Sequence, residues 1–180
     1  MDGELGKALA LKITKKMPPE QLADYIGDKL KQLTVCTLVT SKNDVPRGTP
    51  LEYFADGLLL YISPDPGTKV KNLRANPNVN VSIYNNVRPD WVIEWRDAWG
   101  IQLTGKAELF EPGDSGYDLA YERGSEVINF GSFFRALGKD YSRITKQRNI
   151  LRVIPIKIEL LEFALIGQGF AFRQTWRAKT

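Results

Sequence analysis

The amino-acid sequence predicts an antiparallel β-barrel of the α+β class. Three observations carry that prediction: six or seven strand-like segments at hairpin spacing, one short helical segment between two of them, and longer helical patterns at the periphery. The 180 residues contain no internal repeat and no low-complexity linker. They read as one domain over 1–180, long enough to bury a core without disulfides or metal.

PPEQLADYIGDKLKQL opens on prolines, tolerated in a first helical turn, and spaces Leu22, Ile26, Leu30 and Leu33 at helical intervals, so a helix is expected over about 19–32. The barrel is expected over about 34–177. TVCTLVTS (34–41) is rich in strand formers and ends at the turn KND. VPRGTPLEYF (45–54) reads as the second strand, with Pro46 and Pro50 confining it to an edge, a bulge or a strand end. Asp56-Gly57 signals a hairpin into LLLYIS (58–63). A Pro/Gly turn and a short helix from Thr68 to Ala75 precede NVSIY (80–84), the fourth strand. VRPDWVIEWRDAWG (87–100) reads as strand or loop. GIQLTGKAELFE (100–111) is a long strand in which Gly105 marks a bulge or a close backbone approach. A helical insertion is expected over about 113–140, with Tyr117, Tyr121, Phe133, Phe134 and Leu137 supplying its apolar faces, and a polar loop over 141–149. LRVIPIKIELLEF (151–163) and GFAFRQTWR (169–177) close the chain as a hairpin.

Composition removes several kinds of chemistry. Histidine is absent, which excludes Ser/His/Asp and Cys/His triads, His-ligated zinc and His-ligated haem. Cys36 is the only cysteine, so no disulfide framework and no Cys-based metal site is expected. In an apolar strand with no base nearby in sequence it reads as a buried structural thiol. An enzyme so built leaves its hard chemistry to an organic cofactor. The net charge of +4 comes from scattered Lys and Arg rather than one run, weak grounds for a nucleic-acid partner. Asp90, Glu94 and Asp97 among the tryptophans argue against one too. Neither a spanning apolar run nor a leader with a cleavage site is visible, so the expectation is a cytoplasmic protein away from the membrane.

The stretch PDPGTKVKNLRANPNVNVSIYNN places Lys69, Lys71 and Arg74 on a short helix directly between two strands. Either this is a solvated basic helix, or its N-terminus holds an anion, with Thr68 capping the helix and donating its hydroxyl. Lys69 and Asn72 are three apart and share a face. Arg47, in PRGTPL, is either a surface arginine or a second cation for the same anion. The Asp56-Gly57 hairpin is expected to fold its strand alongside YIS, bringing Arg47 close to Thr68. Gly48 and Thr49 then offer backbone that a flat ring can approach closely.

In the order PRGTPLEY, GLLLYIS, PGTKVKNLRANPNVNVSIY and GIQLTGKAEL, the chain resembles the pyridoxamine 5′-phosphate oxidase-like superfamily of FMN-binding split β-barrels, over roughly residues 33–111. The resemblance implies a split barrel and a homodimer with FMN at the subunit interface. Matched by position, Arg47 and Lys69 fall on the phosphate ligands, with Thr68 beside them. Gly48, Thr49 and Pro50 fall on the strand lining the flavin ring, and Tyr61, Ile62 and Ser63 on the segment at its other edge. Gly100, Ile101 and Gln102 fall on the strand contributed across the dimer, where Gln102 either donates to a flavin carbonyl or faces solvent.

The chain departs from the founding enzyme where that enzyme holds its substrate's phosphate. Five residues after Arg47 the family pattern has a lysine, and here stands Glu52, which repels a dianion. The closing Arg/His motif is replaced by GFAFRQTWR, and Leu161 stands in place of an aromatic residue. Arg173 and Trp176 are the residues there able to compensate. Vitamin B6 oxidation is therefore not expected, and the implied function is an FMN-dependent oxidoreductase of unspecified small substrate. The alternative is a module that binds or senses flavin, deazaflavin or haem without turnover. Trp91, Trp95 and Trp99 recur every four residues and fall on one side as helix or as strand. They read as core or interface aromatics, or as a wall for a planar ligand. Glu52, Glu94 and Asp97 are the candidate acids near the presumed site, with none singled out as a proton donor.

Overall fold

A computed structural model describes residues 13–86, 94–128 and 148–179. Eight strands form one antiparallel sheet: β1 (Val35–Lys42), β2 (Val45–Glu52), β3 (Phe54–Asp56), β4 (Leu59–Ile62), β5 (Asn78–Tyr84), β6 (Trp99–Phe110), β7 (Ile150–Glu162) and β8 (Arg173–Arg177). Their order is β2-β1-β5-β6-β7-β4-β3, with β8 also paired to β7. One edge of β7 pairs with β6 along its length. Its other edge is shared by β4, opposite Leu151–Val153, and β8, opposite Lys157–Leu161. The sheet curls into a half-barrel, an α+β fold of split-barrel type, as the sequence predicts.

Alternation sorts the residues between the faces. Cys36 and Leu38 of β1, Val79, Val81 and Ile83 of β5, and Ile101 and Leu103 of β6 point into the core. Helix α1 (Pro19–Leu30) closes that core with Leu22, Ile26 and Leu30. Its start follows from Pro18 and Pro19, with the Leu22 amide donating to the Pro18 carbonyl. Helix α2 (Thr68–Ala75) crosses between β4 and β5, and α3 (Tyr117–Ile128) covers a smaller cluster around Tyr61 and Ile150. At Gly105 the β6–β7 register shifts, and a Cβ there would collide with the Ile154 carbonyl oxygen. Bulge and close approach occur together.

The structure corrects the second strand. Segment 45–54 breaks at Tyr53, whose amide donates to Thr34 and whose hydroxyl donates to the Leu30 carbonyl. Burying that ring leaves β2 paired with β1 across the Asn43-Asp44 turn, both residues with positive φ (51° and 61°), while β3 takes the Asp56-Gly57 hairpin to β4. Arg47 therefore does not lie alongside YIS; β2 and β4 are far apart in the strand order.

Three boundaries also move. Trp95–Asp97 forms a 3₁₀ turn before β6. The closing hairpin is interrupted by a 3₁₀ segment, Phe163–Gln168, that stacks Phe163 on Phe172 (centroids 5.3 Å apart), so β8 begins only at Arg173. The expected helical stretch is α3 as far as residue 128; Phe133, Phe134, Leu137 and most of the expected polar loop lie outside the described residues, as does Trp91.

Candidate functional site

Helix α2 is fixed to the sheet by polar contacts as well as by Val70 and Leu73. The buried Asn72 amide donates to Thr40 Oγ1 at 3.1 Å, and one turn on Asn76 donates to Ser41 Oγ at 3.0 Å. Thr40 is the register partner of Arg47, so their side chains leave the same face of the β1–β2 ribbon, the face that α2 covers. Lys69 precedes Asn72 by three residues on that side of α2. A helix laid on a strand, rather than the expected hairpin, thus brings Arg47 and α2 to one region.

The start of α2 is open. Gly67 is its N-cap at φ +152°, ψ −162°, a conformation essentially reserved for glycine, and among the described residues no side chain caps the helix. Thr68, expected as a cap, is instead the first helical residue, with an exposed side chain. The first-turn N–H groups point out of the helix with the positive end of its dipole.

Charge is sorted along the helix. Arg74 is held by Glu111 through two hydrogen bonds of 2.9 and 2.7 Å, and that contact lowers the Glu111 carboxyl below its ordinary range. Arg47, Lys69 and Lys71 make no ion pair or side-chain hydrogen bond among the described residues. Four buried side-chain oxygens lack a hydrogen-bond partner among the described residues, and two of them, Thr49 Oγ1 and Ser63 Oγ, fall on positions singled out from the sequence; the others belong to Ser125 and Glu162. A buried hydroxyl without a partner is disfavoured by about 1–3 kcal/mol.

The remaining candidates divide. Thr49 is opposite Leu38 and faces the core side with Arg47, whereas Gly48 and Pro50 turn to the outer face. A Cβ on Gly48 would come within 3.3 Å of Thr37 Cγ2. Tyr61 and Ile62 are both buried, the former in the cluster beneath α3 and the latter in the main core, so their side chains are occupied by packing. Gln102 is exposed on the outer face, between Ser82 of β5 and Glu159 of β7. There it lines a groove of about 720 Å³ with Tyr84, Gly100, Phe163 and Arg173; Trp99 and Ile101 also border it, with their side chains in the core. A second hollow of about 450 Å³ includes Val35, Cys36 and Pro50 and shares Ser82, Tyr84 and Asn86 with the first. Within one chain, Gln102 and Arg47 lie on opposite faces.

Glu52 is exposed at the end of β2, with no cation paired to it among the described residues. Asp97 is exposed too, and Glu94 half-buried. Trp95 packs edge-on against Phe163, 5.8 Å between centroids, and Trp99 starts β6, so these two tryptophans belong to different elements. Leu161 and Arg173 are register partners on the groove side, while Trp176 packs against the core. Burial pushes the Cys36 thiol up to about 12.

Two features escaped the sequence. Asn85 staples the groove's rim: it donates to the Asp97 carbonyl at 2.6 Å and accepts from the Trp99 amide at 2.9 Å. Lys29 and Glu162 form an ion pair inside the core. A signal for it existed, since Lys29 follows Ile26 by three on the apolar stripe of α1 and Glu162 ends an apolar strand.

Comparison with known proteins agrees with this architecture. The family model described as pyridoxamine 5′-phosphate oxidase matches residues 22–162. No curated protein matches the chain. Among solved structures, a protein related to general stress protein 26 of Bacillus subtilis (pyridoxinephosphate oxidase family), from Clostridium acetobutylicum, is similar at 15% identity and TM-score 0.57, over 88% of this chain and 95% of that one. An FAD-binding protein from Mesorhizobium loti is 19% identical at TM-score 0.55, over 76% and 91%. A heme binding protein from Mycobacterium smegmatis is 14% identical at TM-score 0.56, over 91% and 60%. At these identities the likeness is one of fold.

Proposed function

The chain belongs to the pyridoxamine 5′-phosphate oxidase family, and we propose that within it this protein is an FMN-binding flavoprotein, an oxidoreductase acting on a small substrate. The observation that carries the reading is a set of leftover polar groups: the unpartnered hydroxyl of Thr49, on β2 with Arg47, that of Ser63, in the chain between β4 and α2, and the cations Arg47 and Lys69, which no acid of the described chain neutralises. Groups left so are suited to an anionic, multiply accepting ligand. Arg47 and Lys69 would hold the FMN phosphate by charge-assisted bonds, and Thr68 with the first-turn amides of α2 would complete that cradle. Gly48 and Pro50 would let the flat ring approach the strand, with the backbone of Tyr61 to Ser63 at its other edge. A flavin bound there supplies hydride or electron transfer through its N5.

Gly100 and Gln102 face away from Arg47 within one chain, which supports a site completed by a second copy: a homodimer in which the partner's groove covers the ring. The cytoplasm suits a chain with a single, buried thiol, and among the described residues no helix is long and apolar enough to cross a membrane. Substrates carrying a second phosphate are disfavoured, because Glu52 presents an unneutralised carboxylate. Pyridoxamine 5′-phosphate is accordingly not the proposed substrate.

A binding module without turnover is the second reading, supported by the names of two similar structures, one FAD-binding and one heme binding. The lack of histidine disfavours conventional haem ligation, which leaves flavin or deazaflavin. An absorption spectrum of the purified protein with and without added FMN, and identification of any ligand released on denaturation, tests the cofactor. Arg47→Ala and Lys69→Ala should each weaken FMN binding by about tenfold or more, loss of one charge-assisted contact. Undiminished affinity in both variants would sink the assignment. Fast reduction of the bound flavin by NAD(P)H or another donor separates enzyme from binder.

A further inference from the structure

The outer face of the sheet carries its side chains in rows fixed by register. Tyr84, Gly100, Leu161 and Arg173 stand opposite one another in turn across β5, β6, β7 and β8. The neighbouring row holds Gln102 opposite Glu159. Both rows line the 720 Å³ groove, and the half-buried Phe163 borders it two residues past Leu161. The first row offers apolar surface until it reaches the exposed Arg173. Charge in the groove does not balance. Glu159 and Arg173 are the only charged residues lining it among the described residues. Glu159 is met by Lys157 at 2.7 Å. Arg173 has no ion pair and no side-chain hydrogen bond among the described residues. Its guanidinium sits 5.5 Å from the centre of the Phe172 ring, which stacks on Phe163. A guanidinium seated on an aromatic face keeps its N–H donors for an acceptor from elsewhere.

We propose that the β7–β8 end of this groove binds the carboxylate of a small, flat, apolar acid, with Arg173 as its anchor and Leu161 and Phe163 as its apolar walls. The inference rests on the flavin reading and names the substrate class of that same site. With the partner's flavin ring over Gly100 and Gln102, the Leu161–Arg173 end is the part of the groove left for a substrate. β6 and β8 are two strand spacings apart, about 10 Å, which accommodates an acid of one aromatic ring beside the flavin. A guanidinium takes a carboxylate through two parallel N–H···O bonds, a geometry that an amide or an ester cannot reproduce. One negative charge is favoured over two, because Glu159 lies in the next row.

Benzoate and its uncharged isostere benzamide are the probes, titrated by calorimetry into the full chain with FMN added, with thermal melting alongside. Wild type should bind benzoate, and benzamide at least about tenfold more weakly. Arg173→Met keeps an apolar stem and removes the charge; it should lose about tenfold or more for benzoate, while FMN affinity and melting temperature stay as in wild type. Arg173→Lys, which keeps the charge without the fork, should fall between the two. Leu161→Glu supplies a carboxylate directly opposite Arg173 and should abolish benzoate binding with the arginine still present. No benzoate binding by wild type, equal affinity for the two probes, or an Arg173→Met variant that keeps benzoate overturns the inference and leaves the flavin reading standing. A chain that binds benzoate through Arg173 and takes up no FMN overturns the flavin reading and supports the anchor.

Discussion

The β6–β7 ribbon and the β1–β2 ribbon are built from the same antiparallel ladder and differ in what they leave over. Twelve register pairs run along β6–β7, and its inward side chains are closed over by α1, down to an ion pair matched inside the core. Eight pairs run along β1–β2, but six of the eight β2 residues are exposed, and the buried Thr49 hydroxyl beside them has no partner. The first ribbon is nearly complete as a single chain, with one oxygen of Glu162 left over among the described residues. The second carries a hydroxyl and a cation whose complement the described chain does not provide, and the proposed function puts the ligand there. Changes in the central ribbon should therefore appear as lost stability, and changes at the edge as lost binding.

The hardest test of that contrast is Lys29→Met alone, which strands Glu162 in the core and should lower stability by about 3–5 kcal/mol in denaturant unfolding. A loss below about 1 kcal/mol, the range of an exposed pair, would mean that water reaches the pair and the core is not closed. Gly105→Ala comes next. Its Cβ meets the Ile154 carbonyl oxygen, so β6 or β7 must shift, and a loss of about 1–3 kcal/mol is expected, read by the unfolding midpoint. At the edge, Thr49→Val removes an unsatisfied hydroxyl. It should leave the ligand-free protein as stable or slightly more so, while weakening FMN several-fold, a loss of about 1 kcal/mol of binding. Equal loss of stability and binding would erase the distinction between the ribbons. The smallest effect belongs to Glu111→Gln. The folded carboxyl is lowered by Arg74, so the pair stabilises above the ordinary glutamate range and that contribution fades as pH falls through the folded value. The variant should melt slightly below wild type at pH 7 and the two curves should converge in acid.

Much of this contrast was legible in the sequence. Strands with strict alternation, the Pro-started helix and the glycine bulge at 105 depend on local patterns, and these fixed the class of fold. The second strand departs from its sequence pattern because two turn signals compete for it. Both Asn43-Asp44 and Asp56-Gly57 make real turns, and what divides their strands is Tyr53, whose hydroxyl is held by a helix end 23 residues earlier. Likewise 169–172 reads as the start of the last strand, but Phe163 and Phe172 stack and β8 begins only at Arg173. For the site, residue types were legible and their grouping was not. Arg47 and Lys69 stood out as cations, but that Arg74 is spoken for and they are not follows from the position of Glu111, 37 residues on.

Pro46 and Pro50 bear on something other than the ligand. Both lie within a continuous ladder to β1, which puts their missing N–H groups on the open side of β2. Of the four residues whose amides would face outward there, 46, 48, 50 and 52, only Gly48 and Glu52 can donate, and the second brings a charge. An exposed strand edge normally recruits further strands and seeds aggregates. This one offers an interrupted template, so the chain can keep an open edge without stacking into fibres.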